Sequence, residues 1–299
     1  MTEIPAIKLE RILVGVDGSK SALAACRVAT SIAKAAHAKI MLLYVPFSPA
    51  TISPGPSGAA LRHEVLKGGE RVLQEAAAAI GENTLVLQTR VLPERTSVVN
   101  VITTYAEEND VDLIVLGTRG LGGFSRLRLG SVSSGVATHA KMPVLVVRSA
   151  KSGQVTPLKS FVVAIDGSTN SKNAVLGAAQ FSKLMGATLM VLHILNIPEI
   201  AYAANIPVPI AEIEEGARSR GEKVLEEAAS LAEIAGTKAT CEMRKGVSPA
   251  QGIVDYAEAS KADLIILGAR GLGGFKKLLM GSVSNSVLHY SGCSVLVVR

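Results

Sequence analysis

Two stretches of the chain, Asp112–Arg148 and Asp263–Arg299, are each 37 residues long and agree at 22 positions without a gap. Upstream, "ILVGVDGSKSA" at Ile12–Ala22 returns as "FVVAIDGSTNS" at Phe161–Ser171. Asp17 and Asp166 are 149 positions apart and Gly117 and Gly268 are 151 apart, so the second copy carries two extra residues between these landmarks. A period this long excludes a solenoid of short repeats and requires two tandem domains, as the 299-residue length also suggests. The boundary falls in "SAKSGQVTPLK" at Ser149–Lys159, polar and broken by Gly and Pro. The domains are expected over 1–150 and 151–299.

Within each copy the hydrophobic period alternates. Arg11–Val16 and Ala38–Val45 read as short buried strands; Ser19–Ala36 is Ala-rich with helical spacing and opens on an N-cap serine. Gly58–Ile80 reads as a helix, Thr84–Val91 as a strand, Ser97–Asn109 as a helix and Asp112–Gly117 as a strand. A helix near Ser131–Ala140 and the strand Val144–Arg148 close the copy, and the second copy repeats the order. Strands alternating with helices dictate an α/β fold of two doubly wound domains, each a five-stranded parallel sheet with flanking helices. Right-handed crossovers with one reversal give the strand order 3-2-1-4-5. Ligands of such sheets sit at the carboxyl ends of the strands where the winding reverses, here after Asp17 on strand 1 and Gly117 on strand 4.

At that point stands "GTRGLGGFSRLRLGS", Gly117–Ser131, answered by "GARGLGGFKKLLMGS", Gly268–Ser282. Glycines let a ligand approach the backbone. Gly130 and Gly281 precede Ser131 and Ser282, which open helices, and a helix N-terminus offers unpaired N–H groups to an anion. Ser131 and Ser133 add hydroxyls, while Arg119, Arg126, Arg128, Arg270, Lys276 and Lys277 add positive charge. The chemistry implied is phosphate binding; the alternative is a glycine-rich turn whose basic residues are merely solvated. Neither G-x-x-x-x-G-K-[ST] nor a G-x-G-x-x-G after the first strand is present, so the P-loop and the dinucleotide fingerprint are excluded.

Both loops fit G-x2-G-x9-G-[ST], as Gly117-x2-Gly120-x9-Gly130-Ser131 and Gly268-x2-Gly271-x9-Gly281-Ser282. With "VGVDGS" and "VAIDGS" ending the first strands, the chain resembles the nucleotide-binding universal stress proteins over nearly its whole length. The resemblance implies ATP, or ADP or AMP, with Mg²⁺. It implies that Asp17 and Asp166 lie near ribose or metal and that Val45 and Ile194 flank adenine. Leu116 and Leu267 would lead into the loops. Ser131, Val132, Ser133 and Ser282, Val283, Ser284 would join the glycines around ribose and phosphates, with Arg119 and Arg270 in the variable pair. The family often has a glycine after strand 3, matched by Gly246 in the second copy but by Arg95 in the first.

The expected function is that of a stress-response ATP-binding protein acting as a nucleotide-dependent regulator or sensor. The alternatives are a slow ATPase or nucleotidyl-transfer enzyme, and a nucleotide-free partner-binding dimeriser. The five histidines are scattered and form no repeated triad; His193, at the end of a strand, reads as a satisfied strand-end residue. Cys26, Cys241 and Cys293 have no metal-ligand spacing and read as reduced thiols. A net charge of +6 with 3% aromatic residues and no Trp argues against nucleic acid. No apolar run reaches the length of a membrane span, and the start lacks a signal-peptide pattern, so a cytoplasmic protein is expected. The "VLVVR" closing each copy reads as an apolar edge strand. Pairing of these edges as an intramolecular pseudo-dimer is expected, with further homodimerisation through other faces.

Overall fold

A five-residue apolar run leading into Asp-Gly-Ser lies near the start of each half, and each run becomes a central strand. In the computed structural model the described residues are 9–46, 56–81, 88–92, 97–118, 129–149, 156–196, 210–246, 248–272 and 280–299. They fall into two compact units, Lys8–Pro157 and Leu158–Arg299. Because they lie outside the described residues, the structure says nothing of Arg95, Arg119, Gly120, Arg126, Arg128, Lys276 and Lys277.

The first unit runs β1 (Arg11–Val16), α1 (Lys20–Ala36), β2 (Lys39–Tyr44), α2 (Pro56–Ile80) and β3 (Gln88–Val91), then α3 (Val98–Glu108), β4 (Leu113–Gly117), α4 (Ser131–His139) and β5 (Val144–Val147). All its strand pairs are parallel: β1 lies between β2 and β4, β3 flanks β2 and β5 flanks β4, giving β3-β2-β1-β4-β5. The second unit runs β6 (Ser160–Ile165), α5 (Thr169–Met185), β7 (Thr188–Leu195), α6 (Ile210–Ile234), β8 (Ala239–Lys245), α7 (Pro249–Ala259), β9 (Leu264–Gly268), α8 (Ser282–Tyr290) and β10 (Ser294–Val298). Its order, β8-β7-β6-β9-β10, is the same winding, again parallel throughout. The 3-2-1-4-5 order expected from the sequence is therefore present in each unit.

Local chemistry explains the elements. Ser19 is extended, and its hydroxyl accepts the Ala22 N–H at 3.1 Å, starting α1. Ser168 does the same for Ser171 at 3.2 Å on α5. α1 ends with His37 and α5 with Gly186, both left-handed, as helix ends commonly are. The β4 and β9 residues are all buried, as strands covered on both faces must be. Small alanines on α1, such as Ala22, Ala25 and Ala29, let that helix lie close on the sheet, and they too are buried. In the second unit Phe161 of β6 stacks on Phe181 of α5 with ring centroids 5.4 Å apart, joining sheet to helix.

A carboxylate ties each sheet together at its other end. Asp112 accepts the N–H groups of Glu10 and Arg11 at 2.8 and 2.9 Å; Asp263 accepts those of Lys159 and Ser160, both at 3.0 Å. None of the three cysteines is in a disulfide: Cys26 is buried, Cys241 exposed and Cys293 between the two. Burial pushes the Cys26 thiol up to about 12, so it behaves as a small apolar residue. Among the described residues no helix is long and apolar enough to cross a membrane.

Candidate functional site

Each unit's winding reverses between its first and fourth strands, and the carboxyl ends of those strands carry the Asp-Gly-Ser turn and the glycine loop. Gly18 and Gly167 follow the strand-end aspartates with φ of 82° and 83°, left-handed values that bend the chain from strand to helix. The turn closes on itself: one oxygen of Asp17 accepts the Ser19 N–H at 3.0 Å, and Asp166 accepts that of Ser168 at 3.0 Å.

In the second unit the other Asp166 oxygen reaches the glycine loop, accepting the Leu272 N–H at 2.9 Å. Burial alone would raise this carboxyl, but hydrogen bonds from Ser168, the Leu272 backbone and Ser171 outweigh it and hold the group below its usual value. The Leu272 donor was not found from the sequence, because a backbone N–H has no residue-type signature.

The glycines of the pattern serve different ends. A Cβ on Gly117 would lie 2.5 Å from the Ser21 carbonyl carbon, and one on Gly268 would lie 2.8 Å from that of Asn170. These two are glycine because the first turn of α1 or α5 crosses directly over the strand end. A Cβ on Gly271 would collide with the Asp166 carboxylate. Gly281 is different: among the described residues a Cβ there would have its nearest neighbours at 3.6 Å, an ordinary contact, so these neighbours leave room for a side chain the sequence does not supply.

Gly130 and Gly281 are the N-cap residues of α4 and α8, and neither helix has a side-chain cap. The cap residue itself therefore offers no side-chain acceptor to the first N–H groups of either helix, and the positive end of the helix dipole is aimed the same way. Ser131 and Ser282 are exposed at these helix starts, and Val132 and Val283 are half-buried behind them. Ser133 and Ser284 are buried, and each donates its hydroxyl hydrogen to the strand's last carbonyl: Ser133 to Gly117 at 2.6 Å, Ser284 to Gly268 at 2.7 Å. Their protons pin α4 and α8 to β4 and β9. The tether gives each buried strand-end carbonyl a partner.

Leu116 and Leu267 are core residues, 4% and 3% exposed. Val45 is half-buried just beyond β2, whereas Ile194 is buried; Cβ atoms on Gly246 and Gly252 would lie 3.2 and 3.1 Å from its side chain. Arg270 is exposed beside Gly271. His193 is satisfied, its Nδ1–H donating to the Ile165 carbonyl at 2.9 Å. At the equivalent place in the first unit is Tyr44; burial, then the negative charge of Asp17, raises its hydroxyl. No group of three or more His, Cys, Asp or Glu among the described residues is placed to hold a metal ion.

The pattern described as the universal stress protein family matches residues 8–148 and 157–299. A universal stress protein of Mycolicibacterium smegmatis is 29% identical over 297 residues, spanning 96% of each chain. The Bacillus subtilis universal stress protein YxiE is 35% identical over 144 residues, 46% of this chain and 97% of its own length, a single-copy counterpart. A solved universal stress protein from Archaeoglobus fulgidus superposes with a TM-score of 0.69, at 21% identity over 98% of this chain and 97% of its own, which bears on the fold.

Proposed function

The chain belongs to the universal stress protein family, and from its paired glycine loops we propose that it binds an adenine nucleotide of the ATP type in each unit and serves as a nucleotide-dependent regulator or sensor in a stress response. The observation that carries this reading is the start of α8. A helix N-terminus without an N-cap side chain follows a glycine whose missing side chain none of the described residues requires. A phosphate is the ligand that uses both properties, since it takes several N–H donors at once and comes close to the backbone. Gly130 presents the same uncapped start at α4. The regulator signals by its occupied state.

The donor set fits a Mg²⁺ that is carried by phosphates rather than held by the protein. Each site offers one strand-end carboxylate, Asp17 or Asp166, and a small hard cation would complete its shell from phosphate oxygens and water. When bound, Mg²⁺ would offset the repulsion between that carboxylate and the phosphates. The carboxylate also suits a ribose hydroxyl as donor.

Isothermal titration of the full chain with Mg-ATP tests the proposal. Two sites are expected in the parent protein and one in each of Gly130→Val and Gly281→Val, because a branched side chain fills the approach to the helix. Unchanged stoichiometry in variants that keep their circular dichroism overturns it.

A further inference from the structure

Three backbone groups in the second unit form a chain across the carboxyl edge of the sheet. Ala269 N–H donates to the Val298 carbonyl at 2.8 Å, and the Ala269 carbonyl accepts the Gly281 N–H at 2.7 Å. The next residue after Ala269 is Arg270, and the next after Val298 is Arg299. Since β9 and β10 run parallel with Gly268 opposite Val298, Arg270 and Arg299 follow adjacent strand ends at the same edge of the sheet. The start of α8 closes the other side: a Cβ on Gly281 would lie 3.6 Å from the Arg270 Cα. Arg270, Arg299 and the helix N-terminus of α8 thus each stand one residue from one of three hydrogen-bonded backbone positions.

We propose that Arg299 acts with Arg270 as a clamp on the outer phosphates of a nucleotide at the second site, selecting nucleoside di- and triphosphates over monophosphates. This rests on nucleotide binding at that site. The α8 N-terminus can satisfy one phosphate, but further phosphates add charge that one helix end does not balance. Paired guanidiniums supply that balance and grip phosphate oxygens two at a time. Burial, and then the neighbouring charge of Arg270, work against the charge on Arg299 and hold it below the usual arginine value. Arg148 occupies the equivalent place in the first unit, where Thr118 N–H donates to the Val147 carbonyl at 3.2 Å and Gly130 N–H to the Thr118 carbonyl at 2.7 Å.

The test is calorimetric titration of the full chain and its Arg299→Gln variant with ATP, ADP and AMP. ATP affinity at one of the two sites is expected to fall roughly tenfold or more, the loss typical of a charge-assisted contact, while AMP affinity changes by no more than about twofold. Arg270→Gln, at an exposed position, should reproduce the pattern, and Arg299→Lys should fall between, keeping charge without the fork. If Arg299→Gln does not fold, the lysine variant and Arg270→Gln carry the test through the ATP-to-AMP affinity ratio. Equal losses for ATP and AMP, or an unchanged ratio, overturn the clamp and leave nucleotide binding standing. A parent protein that binds none of the three nucleotides overturns both.

Discussion

The Asp166 carboxylate accepts the backbone N–H of Leu272 at 2.9 Å, across 106 positions of the chain. It ties the end of β6 to the start of the glycine loop that follows β9. Gly271 passes so close that a Cβ would collide with the same carboxylate. Asp166 therefore holds the first residues of the loop, Gly271 and Leu272, in addition to the ligand role proposed for it. Asp166→Ala is expected to lower nucleotide affinity at the second site by about 1–3 kcal/mol, the worth of a hydrogen bond to a charged group, and to speed hydrogen exchange at Leu272. Tighter binding would mean that the carboxylate chiefly repels phosphate. Unchanged exchange would mean that it does not hold the loop.

The same contact has a defined pH dependence. Burial opposes the Asp166 charge, but donors on Ser168, Leu272 and Ser171 outweigh it, so the folded group titrates below its usual 3.8. A depressed carboxyl contributes stability that is present above the unfolded value and is lost as pH falls through the folded value. The tie to Leu272 is thus complete at neutral pH and loosens only in acid below 3.8. The Leu272 amide chemical shift should stay constant from about pH 5 upward and move only below the ordinary carboxylate range. A midpoint above that range would contradict the hydrogen-bonded geometry.

The glycines of one pattern separate by what replacement costs. Gly268→Ala places a methyl 2.8 Å from the Asn170 backbone, and Gly117→Ala one 2.5 Å from that of Ser21. Each should destabilise its unit by about 1–3 kcal/mol, as overpacking does. Gly281→Ala meets nothing closer than 3.6 Å among the described residues and has an ordinary φ of −73°. Its cost should be about 0.5 kcal/mol or less. Urea unfolding of the three variants measures this directly, and equal costs at Gly268 and Gly281 would refute the distinction.

How far the sequence alone reaches depends on which atoms carry the structure. Strand order was legible because the 2.0 and 3.6 periods alternate cleanly and β4 and β9 are apolar at every position before the glycine. Ser19 was legible as a cap because a hydroxyl before an Ala-rich helix has one obvious use, and it accepts the Ala22 N–H. Roles set by close approach in three dimensions were not. Nothing in the pattern separates Gly268, crossed by the Asn170 backbone, from Gly281, which has room. Ser133 and Ser131 are likewise one residue type two positions apart. Only the helix phase turns Ser133 inward to the Gly117 carbonyl and leaves Ser131 exposed.

Recurrence in both copies does not by itself mark a ligand contact, and Asp112 and Asp263 make the point testable. They recur at the start of the fourth strand of each unit, at the end of the sheet away from the glycine loops. Each accepts two backbone N–H groups from the residues entering the unit's first strand, at 2.8–3.0 Å. The main chain adds a bond in the same place: Asp112 N–H donates to the Arg11 carbonyl and Asp263 N–H to that of Ser160, both at 2.9 Å. Alanine at either position removes the acceptor for two donors and should cost about 1–3 kcal/mol. The two aspartates share no partner, so the double variant should be additive within about 0.5 kcal/mol. Asparagine, which keeps a side-chain oxygen, should restore part of the loss. Nucleotide stoichiometry by titration should be the same in Asp112→Ala, Asp263→Ala and the parent protein. A variant that keeps full stability in urea but loses a nucleotide site would reverse the assignment and make this carboxylate functional.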